Sequence, residues 1–362
     1  MLKRIDPFTR TPGIAGKAYI DNGVADEIIT NFCNEDSYKY VYKITGLRGS
    51  GKSVEYSKII RSLKERNDWL VYPLSASGDA IATLISKLSM EKFINSNKEQ
   101  TTISSATSIG GDAVIINGTE TINISKSIIS NDNYYSHEAT LTHMINLASQ
   151  HNFKVLIGVD DIAKTNDMIK LLSIVGSMLL EGLPVYLVVT GLSENIEDFS
   201  SEKNLSFFKR ADSIEITTLN KFDITYMYEK LLGVDSITAK EIESVSMGYA
   251  YAYQVLGSLY FTKEDTETLE DIIPDFERIM FKDSYDLIWK NLSQGEKDMI
   301  RCLCKSATGK AEEIKNLMKT PASYPVYRDR LINKHIVDGH TRGHLKIRLP
   351  RFEKYVEVWG DD

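Results

Sequence analysis

At 362 residues, with 42% hydrophobic and 26% charged positions, the chain is long enough for two or three globular domains. No apolar run approaches the roughly 18 residues of a membrane helix, and none follows the basic pair Lys3-Arg4, so neither a membrane partner nor a signal peptide is expected and the expected location is the cytoplasm. Cys33, Cys302 and Cys304 are few and odd in number and read as reduced thiols, and the net charge of −7 is uneven: residues 300–362 hold 13 Lys/Arg against 8 Asp/Glu and the rest 30 against 42, which puts any nucleic-acid contact in the C-terminal end.

The chain opens with a Pro/Gly-containing lead, Asp6-Pro7-Phe8-Thr9-Arg10-Thr11-Pro12-Gly13, and a helix is predicted over residues 25–32. Residues 40–45, β-branched and aromatic, predict a strand. Directly after it stands Gly46-Leu47-Arg48-Gly49-Ser50-Gly51-Lys52-Ser53, followed by a helical pattern over residues 54–60. This is G-x-x-x-x-G-K-S, the phosphate-binding loop of P-loop nucleoside triphosphatases, in the strand–loop–helix setting the motif needs. Gly46, Gly49 and Gly51 let the backbone turn tightly, so that the N–H groups of the loop, Arg48 and Ser50 included, can face phosphate oxygens. Lys52 would reach the β- and γ-phosphates of ATP, Ser53 would ligate Mg²⁺, and the helix start adds its positive dipole end.

A short strand (69–74) and a helix (80–93) follow. Residues 95–130 are rich in Ser, Thr, Asn and Gly, and Asn117-Gly118 between β-branched runs predicts a β-hairpin insertion. Either a contact element for DNA or protein or a decoration without a role fits that composition. A helix over 134–150 leads to Phe153-Lys154-Val155-Leu156-Ile157-Gly158-Val159-Asp160-Asp161. An apolar run ending in paired acids is the second nucleotide motif, Walker B, and suits a central strand covered on both faces. Asp160 would hold Mg²⁺ through water, and Asp161 would orient or deprotonate the attacking water. Next come a helix (167–181), a buried strand (184–191) that carries Thr190, and a fifth strand (213–219) just after Arg210. Thr190 could also simply cap its strand, and Arg210 could simply form a local ion pair.

Residues 221–285 read as all-helical. In residues 286–362, Ser293 caps a helix, residues 311–318 and 324–335 give two more around the turn Thr320-Pro321-Ala322-Ser323, and residues 340–350 read as a hairpin wing. That order describes a winged helix. Arg328, Arg330 and Lys334 would lie on its recognition helix and Arg342, Lys346 and Arg348 on the wing, a face suited to duplex DNA. A protein-contact role for the same module stays open.

Taken together, the loop, the double acid, five strands, a helical segment and a terminal winged helix resemble the AAA+/STAND branch of P-loop ATPases, over residues 5–355. The nearest groups are origin-recognition-like initiators and prokaryotic STAND-type ATPases. The resemblance implies an α/β P-loop core (1–220) with a five-stranded parallel sheet in the order 5-1-4-3-2, a helical lid (221–285) and a winged-helix domain (286–362). It implies an ATPase that assembles into a homo-oligomer on ATP binding, with Thr190 as sensor 1 and Arg210 as an arginine finger in trans. It also implies that the lead segment either covers the adenine or merely wraps the surface. Ala250 stands where relatives have a lid proline, and no basic residue takes the sensor-2 role. Asp161, one methylene shorter than the usual glutamate, implies slow turnover suited to a switch. The two functions so implied are a nucleotide-dependent oligomerisation switch in defence, signalling or mobile-element biology, and a DNA-binding initiator or transposition-type ATPase.

Overall fold

In the computed structural model, residues 5–94 and 134–360 are described, and the predicted 95–130 insertion, with its Asn117-Gly118 hairpin, lies outside them. The first part of the chain forms α1 (Val24–Cys33), β1 (Val41–Gly46), α2 (Lys52–Lys64), β2 (Trp69–Ser75), α3 (Ala80–Leu88), α4 (Tyr134–Gln150), β3 (Lys154–Asp160), α5 (Asn166–Leu180), β4 (Val185–Gly191), α6 (Ser193–Asp198), α7 (Ser206–Arg210) and β5 (Asp212–Ile216). The five strands form one parallel sheet in the order β2-β3-β4-β1-β5, the expected 5-1-4-3-2.

Burial explains why the inner strands are unbroken apolar runs. β1 and β4 are buried at every position, because helices cover both faces. Alternate residues feed two separate cores. Tyr42, Ile44, Leu156 and Val188 pack beneath α1 and α2, where Phe32 and Ile59 are fully buried. Val155, Ile157, Leu187 and Val189 pack on the opposite face against Leu84, Leu141 and Leu171. Pro73 is tolerated in β2 because that strand has a neighbour on one side only.

After β5 the chain is almost entirely helical: α8 (Lys221–Leu232), α9 (Ser236–Ser246), α10 (Ala250–Thr262), α11 (Leu269–Met280), a π-helical turn (Phe281–Tyr285), α12 (Asp286–Lys290), α13 (Gln294–Lys305), α14 (Ala311–Leu317), α15 (Tyr324–Asn333), a two-residue β6 (Val337–Asp338), β7 (Lys346–Ile347) and α16 (Phe352–Trp359). Ser293 caps α13 in a capping box with Glu296. The expected wing strand at residue 340 is displaced. β6 pairs antiparallel with β7, and the turn begins at Asp338, whose side chain accepts from His340 N–H at 2.8 Å. Helix α16 was not anticipated, although Phe352, Tyr355 and Val356 are buried at helical spacing.

One continuous apolar core runs through the helices after β5 and takes in two residues of the lead segment, Phe8 and Ala18. Phe8 lies against Gly257 of α10, where even a Cβ would fall 2.2 Å from the ring. The lead segment is therefore fastened to α10, and it crosses to α2 through Tyr19 Oη, which donates to Glu55 at 2.7 Å. None of the described helices is long and apolar enough to cross a membrane.

Candidate functional site

The strand order brings the carboxyl ends of β1, β4 and β3 side by side. The glycine loop leaves β1, Thr190 lies in register with Ile44 of β1, and Asp160 ends β3. The loop needs its glycines: Gly46, Gly49 and Gly51 have φ of 148°, 77° and 107°. Lys52 opens α2, is only 8% exposed, and donates from Nζ to the carbonyl oxygens of Gly46 (2.9 Å) and Leu47 (2.8 Å). Burial pushes its ammonium down to about 8, with Asp161 and Asp160 opposing the shift.

The acids and Thr190 form one hydrogen-bonded set. Ser53 Oγ donates to Asp160 Oδ1 at 3.2 Å, and Thr190 Oγ1 donates to the same oxygen at 2.5 Å. Thr190 Oγ1 in turn accepts from the Asp161 N–H at 2.9 Å. Thr190 is 1% exposed, so its hydroxyl is wholly committed to fixing the two acids. Asp161 sits at φ 53°, a left-handed conformation that takes the chain out of β3 at the mouth of the site.

These groups line a cavity of about 750 Å³, inside the ~300–1,000 Å³ of ordinary ligand pockets. The lead segment lies on its wall, and the walls from α10 and the π turn were not expected. Thr9–Asn22 of the lead segment contribute Arg10, Pro12, Ile14 and Ile20; α10 contributes Tyr251 and Gln254; the π turn contributes Lys282, Asp283 and Ser284. Two cations, Arg10 and Lys282, thus stand on the wall, although no basic residue was expected there from residues 221–285. Arg48 and Ser50 line the same cavity from the loop. Among the described residues, no group of three or more His, Cys, Asp or Glu side chains could hold a metal ion.

All of this chain aligns with 96% of the ORC2 protein of Aeropyrum pernix, solved as ADPNP–ADP complexes, at a TM-score of 0.56 and 13% identity. The chain has the AAA+ P-loop ATPase fold. Looser matches are Cdc6p of Pyrobaculum aerophilum (TM-score 0.40, 12% identity, 95% of this chain and 96% of that one) and a STAND protein with a tetratricopeptide repeat sensor from Pyrococcus horikoshii (0.39, 13%, 98% and 44%). Residues 282–356 match the model of a domain of unknown function, DUF8462. No curated protein matches the chain.

The remaining candidates divide. Arg210 ends α7 immediately before β5 and is exposed. Its turn is held by the buried Lys43, whose Nζ donates to the carbonyls of Phe208 (2.9 Å) and Lys209 (3.3 Å). Arg330, Arg342 and Lys346 are exposed, and Arg328 is paired with its neighbour Asp329 at 2.7 Å. Lys334 is turned inward, which corrects its expected placement, and Arg348 is only partly exposed. Lys334 is 19% exposed and lies 3.1 Å from Glu194 of α6 and 3.2 Å from the buried Glu296, because two carboxylates converge where α15 ends. Arg348 lies behind the phosphate loop, lining a cavity of about 20 Å³ with Leu47, Ser50, Glu215 and His335.

His335 joins β5 and α6 to the end of α15. Its Nδ1 is 2.9 Å from Glu215 of β5 and its Nε2 is 3.1 Å from Ser193 Oγ, so a neutral ring protonated at Nδ1 satisfies both partners. Burial pushes its pKa down, Glu215 opposes this, and Arg348 and Lys52 add to it. The unfolded chain therefore binds more protons here just below the ordinary value of about 6.5. Stability should rise with pH through that window. In thermal unfolding from pH 5.5 to 7.5, His335→Gln is expected to flatten the slope, and an unchanged slope would assign it to other groups.

Proposed function

We propose that the protein is an ATP-binding, slowly hydrolysing switch, with a P-loop core (1–220), a lid (221–285) and a terminal winged helix (286–362). The observation that carries this reading is the convergence of Lys52, Ser53, Asp160, Asp161 and Thr190 on one cavity of nucleotide size. The ADPNP–ADP complexes of the A. pernix protein support it, since that protein shares the fold.

The loop amides from Gly49 to Ser53 would cradle the β- and γ-phosphates at the start of α2. The paired hard oxygens of Ser53 and Asp160 fit Mg²⁺, which would be shared with the phosphates and would neutralise charge as the terminal phosphoryl leaves. Asp161 accepts the proton of the attacking water, and Thr190 fixes its main chain. A short aspartate holds that water less closely than a glutamate would, so the ATP-bound state persists. Exposed Arg210 reaches the γ-phosphate of a neighbouring copy, which makes assembly depend on ATP.

Light scattering tests this reading. Mass should increase with ATP and Mg²⁺ over ADP, and Arg210→Ala should abolish the increase while ATP still binds. Equal mass in both nucleotides would overturn the switch. The exposed Arg330, Arg342 and Lys346 favour a second reading, in which the terminal module binds duplex DNA. Phosphate contacts would then make binding fall steeply with salt.

A further inference from the structure

Two carbonyl oxygens of the phosphate loop are held from behind by the start of α10. The Tyr251 N–H donates to Gly49 O at 3.1 Å, and Tyr249 Oη donates to Arg48 O. Gly49 makes the approach possible, for a Cβ there would lie 2.5 Å from Tyr249 Oη and 3.0 Å from Tyr251 Cβ. Tyr249 is buried, and burial pushes its phenol up to about 12, so it remains a donor. A tyrosine hydroxyl has one proton, and here it is spent on Arg48 O. The 3.0 Å contact between Tyr249 Oη and the buried Ser284 Oγ must then have Ser284 as donor.

Ser284 belongs to the π turn, a distortion that recurs at functional sites. Successive residues of this turn serve different partners. Asp283 accepts from Tyr251 Oη at 2.8 Å beside the cavity, and Ser284 reaches Tyr249. Tyr285 Oη donates to Pro350 O at 2.5 Å, and Asp286, which opens α12 directly after the turn, accepts from Tyr355 Oη at 2.9 Å. Those last two contacts tie the turn to the segment that closes the C-terminal unit. The residues that match DUF8462 begin at 282, within this turn.

We propose that Tyr249 and Ser284 are positioning residues of the nucleotide site. The relay from Ser284 through Tyr249 to Arg48 O sets the curvature of the phosphate loop, and the π turn couples its occupancy to the seating of the C-terminal unit. The proposal rests on the cavity being the ATP site. The coupling is reciprocal: contacts of Tyr285 and Asp286 that steady the turn also tighten nucleotide binding.

The test is ATP affinity by calorimetric titration, with thermal unfolding with and without ATP, on the full chain. Tyr249→Phe and Ser284→Ala should each weaken binding about 3–10-fold, the value of one hydrogen bond. The double variant should be no weaker than the worse single, because the two act in series. Tyr285→Phe, which touches no cavity residue through its hydroxyl, should weaken binding about 2–3-fold by the same route. A merely structural role would lower the unfolding temperature and leave the ATP-induced shift intact, and that result would overturn the proposal. So would additive losses in the double variant. Wild-type affinity in Tyr249→Phe alongside lost binding in Lys52→Ala would reject the relay and leave the ATP site standing. Wild-type affinity in Lys52→Ala would reject the site itself.

Discussion

Lys52→Ala is expected to weaken ATP binding by at least about a hundredfold. Hydrogen bonds to charged groups are worth ~1.5–3 kcal/mol each, and Lys52 would exchange its two loop carbonyls for two phosphates. Its depressed pKa, caused by burial, means that the ammonium is poorly solvated where it stands. A polyanion relieves that cost, so the gain on binding exceeds that of a surface lysine. The variant also leaves the Gly46 and Leu47 carbonyls without their donor, so unfolding without nucleotide must be measured beside affinity. A small loss of stability with a large loss of affinity is the expected pattern.

Asp161→Asn should separate chemistry from binding. A positioned general base contributes about 10²–10⁴ in rate, so turnover should fall by about that factor. ATP affinity should stay within about threefold, because the main-chain bond from Asp161 N to Thr190 does not involve the side chain. Asp160→Asn should behave differently. It removes the carboxylate that Ser53 and Thr190 both address, and should weaken binding only when Mg²⁺ is present. Full turnover in Asp161→Asn would remove this residue from the role of base.

The sequence was most informative where structure is local. Residues 153–161 announce a covered strand with acids at its end, because burial on both faces demands an unbroken apolar run. The glycine loop announces itself because φ above zero and close backbone approach leave few other residues possible. The sheet order follows once those motifs are joined to the family resemblance. What stayed hidden depends on partners far along the chain. Lys334 and Arg330 look alike in sequence, yet only Lys334 meets Glu194, 140 positions upstream, and Glu296. Tyr249 reads as one more core tyrosine, and nothing local says that its hydroxyl ends on the phosphate loop. The π turn shares its side-chain pattern with an ordinary helix. Helix α16 is legible in the spacing of Phe352, Tyr355 and Val356, although Pro350 just before it reads as the end of the structured module.

Under the proposed function, main-chain amides of residues 49–53 and the acids Asp160 and Asp161 together enclose a triphosphate with its magnesium. The most direct measurement is a crystal structure with a non-hydrolysable ATP analogue and Mg²⁺. The expected structure has β- and γ-phosphates against those amides, Lys52 Nζ turned from Gly46 and Leu47 onto them, and the ion beside Ser53 and Asp160. Nucleotide bound anywhere else, or a loop that stays closed on Lys52 at saturating analogue, would contradict it.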